Sequence, residues 1–120
     1  HMPISYALMF PYRASRPQER FDFLKNPTLT FSEPDRVKYP ALDIAYDCMR
    51  RGGNAACVMN GSNEVAVAAF LAGKCRFTEI TASIEYALAK STFVEKPTLR
   101  DYELSNEESR ALAAEYLKLK

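Results

Sequence analysis

The stretch VMNGSNEVAVAAFLAGK, residues 58–74, is the most apolar run of the chain and ends in its clearest stop signal. Within it Val67, Phe70 and Leu71 recur at helical spacing, and alanines fill much of the rest. Gly73 stands where a glycine can take a left-handed conformation and end a helix. So little charge predicts a central helix that is buried on more than one side. We expect Phe70 and Leu71 to pack against apolar residues further along the chain, namely Ile84, Leu88, Leu112 and Tyr116.

The composition excludes several classes of protein. The chain has 120 residues, of which 48% are hydrophobic, and this is enough for one core. Sixteen basic residues against fifteen acidic ones give a formal charge of +1, and no basic stripe stands out. Nucleic-acid binding is therefore not predicted. No uncharged apolar run reaches the roughly 18 residues of a membrane span, so no membrane partner is predicted either.

The residue types that carry catalysis are sparse. Cys48, Cys57 and Cys75 lack the close C-x-x-C pairing of zinc and redox sites and predict buried free thiols. The only histidine is His1, which argues against a histidine-based triad or metal site. Gly52-Gly53 has no G-x-G-x-x-G pattern around it and predicts a helix stop. We therefore predict no catalytic, cofactor-binding or metal-binding residue in this chain.

Residues 1–38 have the pattern of a β arm followed by a linker. Apolar and small or polar residues alternate over Pro3–Tyr12, which predicts a strand. A polar linker follows over residues 14–20, and Thr28–Phe31 alternates again as a second short strand. Because an isolated strand has no hydrogen-bonding partner, such an arm needs other strands.

Residues 39–120 predict four helices joined by short connections. Pro40 suits the first turn of one helix, which Gly52-Gly53 ends before the central helix. Thr78 is the predicted cap of a third helix that runs through Lys90. Ser105-Asn106-Glu107-Glu108 is a capping box that predicts the start of the last helix. The expected fold class is mainly α, a four-helix bundle-like domain preceded by the short β arm and linker.

Asn60, Asn63 and Glu64 are the most interesting polar residues, because they are bunched at the start of the apolar run. They have two interpretations. Side chains of this kind satisfy free backbone amides where a helix begins. Alternatively, they form hydrogen bonds with another domain across an interface.

Several segments together form a specific pattern that covers essentially the whole chain in order. They are PISYALMFPYR at 3–13, FDFL at 21–24, LTFSEPD at 29–35, YPAL at 39–42, MNGSNEVAVAAFL at 59–71 and RFTEI at 76–80. This pattern resembles the 1-deoxy-D-xylulose 5-phosphate reductoisomerase family. Gly61-Ser62 stands where the family usually has Ala-Ala, which weakens the predicted helix at that point.

The resemblance implies a function and a position within a longer enzyme. The family converts 1-deoxy-D-xylulose 5-phosphate to 2-C-methyl-D-erythritol 4-phosphate with NADPH and a divalent metal, Mg or Mn, in bacterial isoprenoid biosynthesis. It implies a cytoplasmic homodimer whose cofactor, metal and substrate residues lie earlier in the family's chain. This chain resembles the end of the central domain and the linker over 1–38 and the C-terminal helical domain over 39–120.

Two partners are predicted. The resemblance implies the first, which is the rest of the reductoisomerase chain, with Asn60, Asn63 and Glu64 as possible interdomain contacts. The second partner is predicted from the strand pattern and not from the family: another copy of the chain, because orphan strands in the N-terminal arm would template pairing and form a homo-oligomer. The alternative hypothesis is a helical interaction module that is unrelated to any enzyme.

Overall fold

A computed structural model describes residues 2–13 and 21–119 of the chain. These residues form five α-helices: α1 (Met2–Met9), α2 (Ala41–Arg51), α3 (Ala55–Leu71), α4 (Phe77–Lys90) and α5 (Leu99–Tyr116). The chain divides into two compact units, an N-terminal unit His1–Glu33 and a helical unit Pro34–Lys120. The helical unit contains α2 to α5, so the prediction of a mainly α, four-helix domain is confirmed. None of the helices described has the length and apolar character that crossing a membrane requires.

The prediction of a β arm is wrong, because the described part of the N-terminal unit contains no strand. Helix α1 occupies most of the predicted first strand, and residues 28–31 have no regular structure. A strand must find its hydrogen-bonding partner elsewhere, whereas a helix satisfies its own backbone groups. Pro3 lies in the first turn of α1, where its missing N–H has no helical partner to lose. The predicted polar linker, residues 14–20, lies outside the described residues.

The described N-terminal unit is held by local aromatic contacts. The rings of Tyr6 and Phe10 meet edge to face with centroids 5.7 Å apart, and those of Phe21 and Phe23 do so at 5.0 Å. The Asp22 carboxylate accepts a hydrogen bond from the Leu24 N–H at 2.8 Å. Among residues 3–13 and 21–33, none belongs to a buried hydrophobic core. Its exposed large apolar side chains include Ile4, Leu8, Phe10, Leu24, Leu29 and Phe31.

Helix α3 is the centre of the helical unit, as predicted. It contacts α2, α4 and α5, and it continues without a break through Gly61-Ser62. Gly52 ends α2 and Gly73 follows the end of α3, and both have positive φ values, +68° and +69°. These are the left-handed conformations that glycine adopts at low cost.

Two helix starts differ from the prediction. Helix α4 begins at Phe77, ahead of the predicted cap Thr78, and the Glu79 carboxylate accepts the Arg76 N–H at 2.7 Å. Helix α5 begins at Leu99 instead of after Ser105. In both cases, a carboxylate in the first turn receives a backbone N–H near the observed start.

The start of α5 is set by an earlier capping box than the predicted one. The Thr98 hydroxyl accepts a hydrogen bond from the Asp101 N–H at 3.3 Å. In return, the Asp101 carboxylate accepts the Thr98 N–H at 2.8 Å. This T-x-x-D box precedes Ser105, so Ser105 lies inside the helix, where its hydroxyl donates to the Asp101 carbonyl.

The core of the helical unit is built from small side chains. Its buried residues include Cys48, Ala55, Val58, Ser62, Ala66, Ala69, Ser83, Ile84, Ala87, Ser105, Ser109 and Ala113. The prediction that Phe70 and Leu71 are core residues is wrong, since they are 38% and 79% exposed. The buried side of α3 follows Val58, Ser62, Ala66 and Ala69, and Leu71 lies on the opposite side. The Phe70 ring contacts Phe77 edge to face at 5.8 Å.

The carboxylates at the helix starts make stability depend on pH. Hydrogen bonds from the Thr98 side chain and then its backbone lower the pKa of Asp101, and hydrogen bonds from Arg76 lower the pKa of Glu79. A carboxyl whose pKa is lower in the folded chain stabilises the fold above its unfolded value, and this stabilisation is lost as the pH falls through the folded value. We expect the free energy of unfolding in urea to decrease below about pH 4. Asp101→Asn should flatten this profile, and an unchanged profile would contradict the assignment.

Candidate functional site: the outward face of α3

The three polar candidates lie inside α3, on the side that faces away from the core. Asn60 and Glu64 are exposed and Asn63 is half-buried. Their spacing of three and four residues places them on one helical face. The capping interpretation is wrong, because α3 begins at Ala55 and continues past all three residues. The structure therefore brings the candidates together on an outer surface instead of at a helix start.

A polar triad links this face to α5. The Asn60 amide donates to one Glu64 carboxylate oxygen at 3.1 Å, and the Arg110 guanidinium donates to the other at 2.6 Å. The Arg110 hydrogen bond, followed by that of Asn60, lowers the pKa of Glu64. The side chains of Glu64 and Arg110 are about half exposed, so the ion pair adds little to stability. It does fix the direction in which both side chains point at the surface.

Asn63 differs from its neighbours because its side chain makes no hydrogen bond within the described residues. An asparagine amide offers two donors and an acceptor. Since Asn63 is half-buried on the flank of α3, its amide is held close to the surface and is free to bind another group.

Asn54 is an important residue whose role the sequence does not reveal. It is the N-cap of α3 and only 1% exposed, but its side chain does not cap the helix. The amide nitrogen donates to the Thr92 carbonyl and the Ser105 hydroxyl, both at 2.8 Å, and the amide oxygen accepts the Val94 N–H at 3.0 Å. Asn54 therefore joins the start of α3 to the α4–α5 connection and to α5. Its position after Gly52-Gly53 indicates a cap and gives no sign of these distant partners.

Gly61 lies at a close approach of α3 to α5. A Cβ atom at this position would lie 2.3 Å from the Ser109 hydroxyl oxygen and 2.9 Å from the Asn106 side-chain oxygen. Both distances are shorter than real contacts, so the two helices approach here only because residue 61 has no side chain. This crossing holds α5, and with it Arg110, beside the outward face of α3.

The cysteines are free, as predicted, although only Cys48 is fully buried and the other two are half-buried. Burial raises the pKa of Cys48 and of Cys57, which favours the protonated thiol over the reactive thiolate. Among the residues described, there is no group of three or more His, Cys, Asp or Glu that could hold a metal ion.

These features define the class of protein as a helical domain with a small-residue core and a polar outer helix face. The family model of the DXP reductoisomerase C-terminal domain matches residues 1–112, and the chain belongs to this family. The resemblance inferred from the sequence motifs is thereby confirmed.

The individual relatives are much longer than this chain. The 1-deoxy-D-xylulose 5-phosphate reductoisomerase of Bacteroides fragilis is 40% identical over 116 residues, covering 97% of this chain and 30% of that protein. The solved reductoisomerase of Zymomonas mobilis in complex with NADPH has a TM-score of 0.84 and 36% identity, covering 99% of this chain and 32% of its own. Another reductoisomerase, in complex with NADPH, fosmidomycin and magnesium, has a TM-score of 0.85 and 29% identity over 98% and 31% of the two chains. The chain thus spans about a third of the length of the relatives it matches.

Proposed function

We propose that this chain is the C-terminal part of a bacterial, cytoplasmic 1-deoxy-D-xylulose 5-phosphate reductoisomerase. The complete enzyme would convert 1-deoxy-D-xylulose 5-phosphate to 2-C-methyl-D-erythritol 4-phosphate with NADPH in isoprenoid biosynthesis. The observation that carries the proposal is the family match over residues 1–112, which two solved reductoisomerases support with TM-scores of 0.84 and 0.85. NADPH and a divalent metal, Mg²⁺ or Mn²⁺, would bind to the enzyme outside these residues.

Within that enzyme, the proposed role of the chain is structural. Residues 1–38 would be the arm and linker from the central domain, and residues 39–120 the C-terminal helical domain. The division of the structure between Glu33 and Pro34 supports a boundary in this region. The helical domain would pack beside the catalytic part and support its closed geometry, with Asn60, Asn63 and Glu64 as contacts. The surface position of these three side chains on one face of α3 supports such a contact.

The proposal predicts that catalysis requires the complete enzyme. Titration calorimetry of the 120-residue chain with NADPH should give no binding heat at micromolar concentrations, because the family's cofactor residues lie outside it. The complete enzyme, supplied with magnesium and 1-deoxy-D-xylulose 5-phosphate, should oxidise NADPH in the same buffer. Micromolar NADPH binding by the 120-residue chain would contradict this placement, and an inactive complete enzyme would contradict the function.

We also propose that the 120-residue chain forms a homodimer through its N-terminal unit. The exposed apolar side chains of that unit, including Leu8 and Phe31, support this contact. Because α1 is helical, the contact would use these side chains and not a shared sheet. Light scattering should give a dimer for the whole chain and a monomer for a version that begins at Tyr39, with helical circular dichroism retained. A monomeric whole chain, or a truncated version that stays dimeric, would exclude this contact.

A further inference from the structure

The outward face of α3 extends well beyond its polar residues. Asn60, Asn63, Val67 and Leu71 follow one another at intervals of three and four residues along the same side of the helix. At a rise of 1.5 Å per residue, this face is about 17 Å long. Leu71 is 79% exposed at its far end, and Val67 is half-buried. The face is therefore polar over its first half and apolar over its second.

Neighbouring helices give this face two different borders. Arg110 of α5 borders the polar half and is fixed there by its hydrogen bond to Glu64. Phe77 of α4 borders the apolar half, is itself exposed, and packs against Phe70. A charged group at one end and an exposed aromatic at the other are typical of surfaces that bind other proteins.

We propose that the α3 face, defined by Asn60, Asn63, Val67 and Leu71 with Arg110 and Phe77 at its borders, docks the catalytic part of the enzyme. An apolar segment of that part would cover Val67 and Leu71, and a segment with free backbone or amide groups would bind Asn63. This inference rests on the proposed function. Contacts between domains of one chain combine polar and apolar groups, as this face does.

The proposed occupant is the rest of the reductoisomerase chain, because each relative has a large part that this chain does not match. The Bacteroides fragilis protein and the solved Zymomonas mobilis enzyme contain about two thirds of their length outside the part that this chain matches. A second copy of α3 fits the face poorly. A symmetric antiparallel pair would place Leu71 opposite the Asn60 amide, and a parallel pair would place two Glu64 carboxylates together. Either arrangement leaves polar groups without suitable partners.

Leu99 provides a matched control for Leu71. Leu71 is the last residue of α3 and Leu99 is the first residue of α5. The two residues are almost equally exposed, Leu71 at 79% and Leu99 at 78%. Hydroxyl-radical footprinting compares them in the 120-residue chain and in the complete enzyme. We expect oxidation of Leu71 to fall about tenfold in the complete enzyme, since a docked side chain loses contact with water, and that of Leu99 less than about twofold. Equal oxidation of Leu71 in the two proteins, or an equal loss at Leu99, would overturn the assignment.

A pair of substitutions tests whether docking at Leu71 stabilises the complete enzyme. Leu71→Glu should leave the thermal midpoint of the 120-residue chain unchanged but lower that of the complete enzyme, because docking would bury an unpaired charge. Leu99→Glu should shift neither midpoint. Protection of Leu71 that increases with the concentration of the 120-residue chain would assign the face to a second copy and overturn the proposal. An inactive wild-type enzyme with Leu71 protected would instead refute the proposed function alone.

Discussion

Asn54→Ala should lower the free energy of unfolding of the chain by roughly 3 kcal/mol, because it removes a buried side chain and the three hydrogen bonds that join α3 to the α4–α5 connection and to α5. The Asn54 side chain makes three hydrogen bonds at 2.8, 2.8 and 3.0 Å, and it is 1% exposed. Without it, the Val94 N–H loses its acceptor in a half-buried position, and the Thr92 carbonyl loses a donor. Urea unfolding followed by circular dichroism measures the change. A value within about 0.5 kcal/mol of the wild type, the range of ordinary surface substitutions, would contradict this role.

Asn54→Asp separates the loss of hydrogen bonds from the loss of volume. An ionised aspartate has nearly the shape of asparagine but donates no hydrogen bond, so its carboxylate would face the Thr92 carbonyl oxygen. We expect this variant to be less stable than Asn54→Ala at pH 7. Burial would raise the pKa of the new carboxyl group, so its penalty should decrease as the pH falls through that raised value.

Asn63→Ala is the control for both variants. Asn63 is also in α3, but it is only half-buried and has no side-chain hydrogen bond within the described residues. Its replacement in the 120-residue chain should change the free energy of unfolding by less than about 0.5 kcal/mol. A large effect at Asn63 would show that position within α3, and not the hydrogen-bond network, determines the loss at Asn54.

The sequence predicts the helices well because their signals are local. Pro40, Gly52-Gly53 and Gly73 delimit α2 and α3 as expected, since these residues restrict or permit backbone conformations wherever they occur. The buried side of α3 was not predictable in the same way. Large apolar residues dominate a hydrophobic pattern, so the pattern favours Phe70 and Leu71 as core residues. The side of α3 that packs against its neighbours is instead formed mainly by alanine, serine and glycine, because small residues allow helices to approach closely.

The error in the N-terminal arm has a different cause, which is its dependence on distant partners. The alternation in Pro3–Tyr12 predicts a strand, but strand formation depends on a ladder that no local pattern supplies. The candidate face shows the same limit. Asn60, Asn63 and Glu64 are close in the sequence and share one face of α3, but Arg110 lies 46 residues from Glu64 and nothing in the sequence pairs them.

Gly61→Leu should destabilise the chain by at least about 3 kcal/mol, because overpacking at a close helix crossing forces the helices apart. Leucine favours a helix over glycine by up to about 1 kcal/mol, so helix propensity opposes the effect and cannot cause it. Ala68→Leu is the control, since Ala68 is exposed in the same helix and should tolerate leucine within about 0.5 kcal/mol. Denaturant unfolding of both variants measures the difference. Equal stability of the two would mean that α3 and α5 do not meet at residue 61.

A double-mutant cycle identifies the atoms responsible for the Gly61 constraint. The nearest obstacle to a Cβ at residue 61 is the hydroxyl oxygen of Ser109, at 2.3 Å. Ser109→Ala removes this oxygen. In the Ser109→Ala background, Gly61→Ala should therefore increase the free energy of unfolding. In the wild-type background, the same substitution should decrease it or leave it unchanged. Two contacts remain: the Asn106 side-chain oxygen at 2.9 Å, at the end of a side chain that can change rotamer, and the Asn106 carbonyl oxygen at 3.4 Å, an ordinary van der Waals distance. We expect a coupling free energy of about 1 kcal/mol between the two substitutions. Additive effects would show that the Ser109 hydroxyl does not determine why glycine occupies this position.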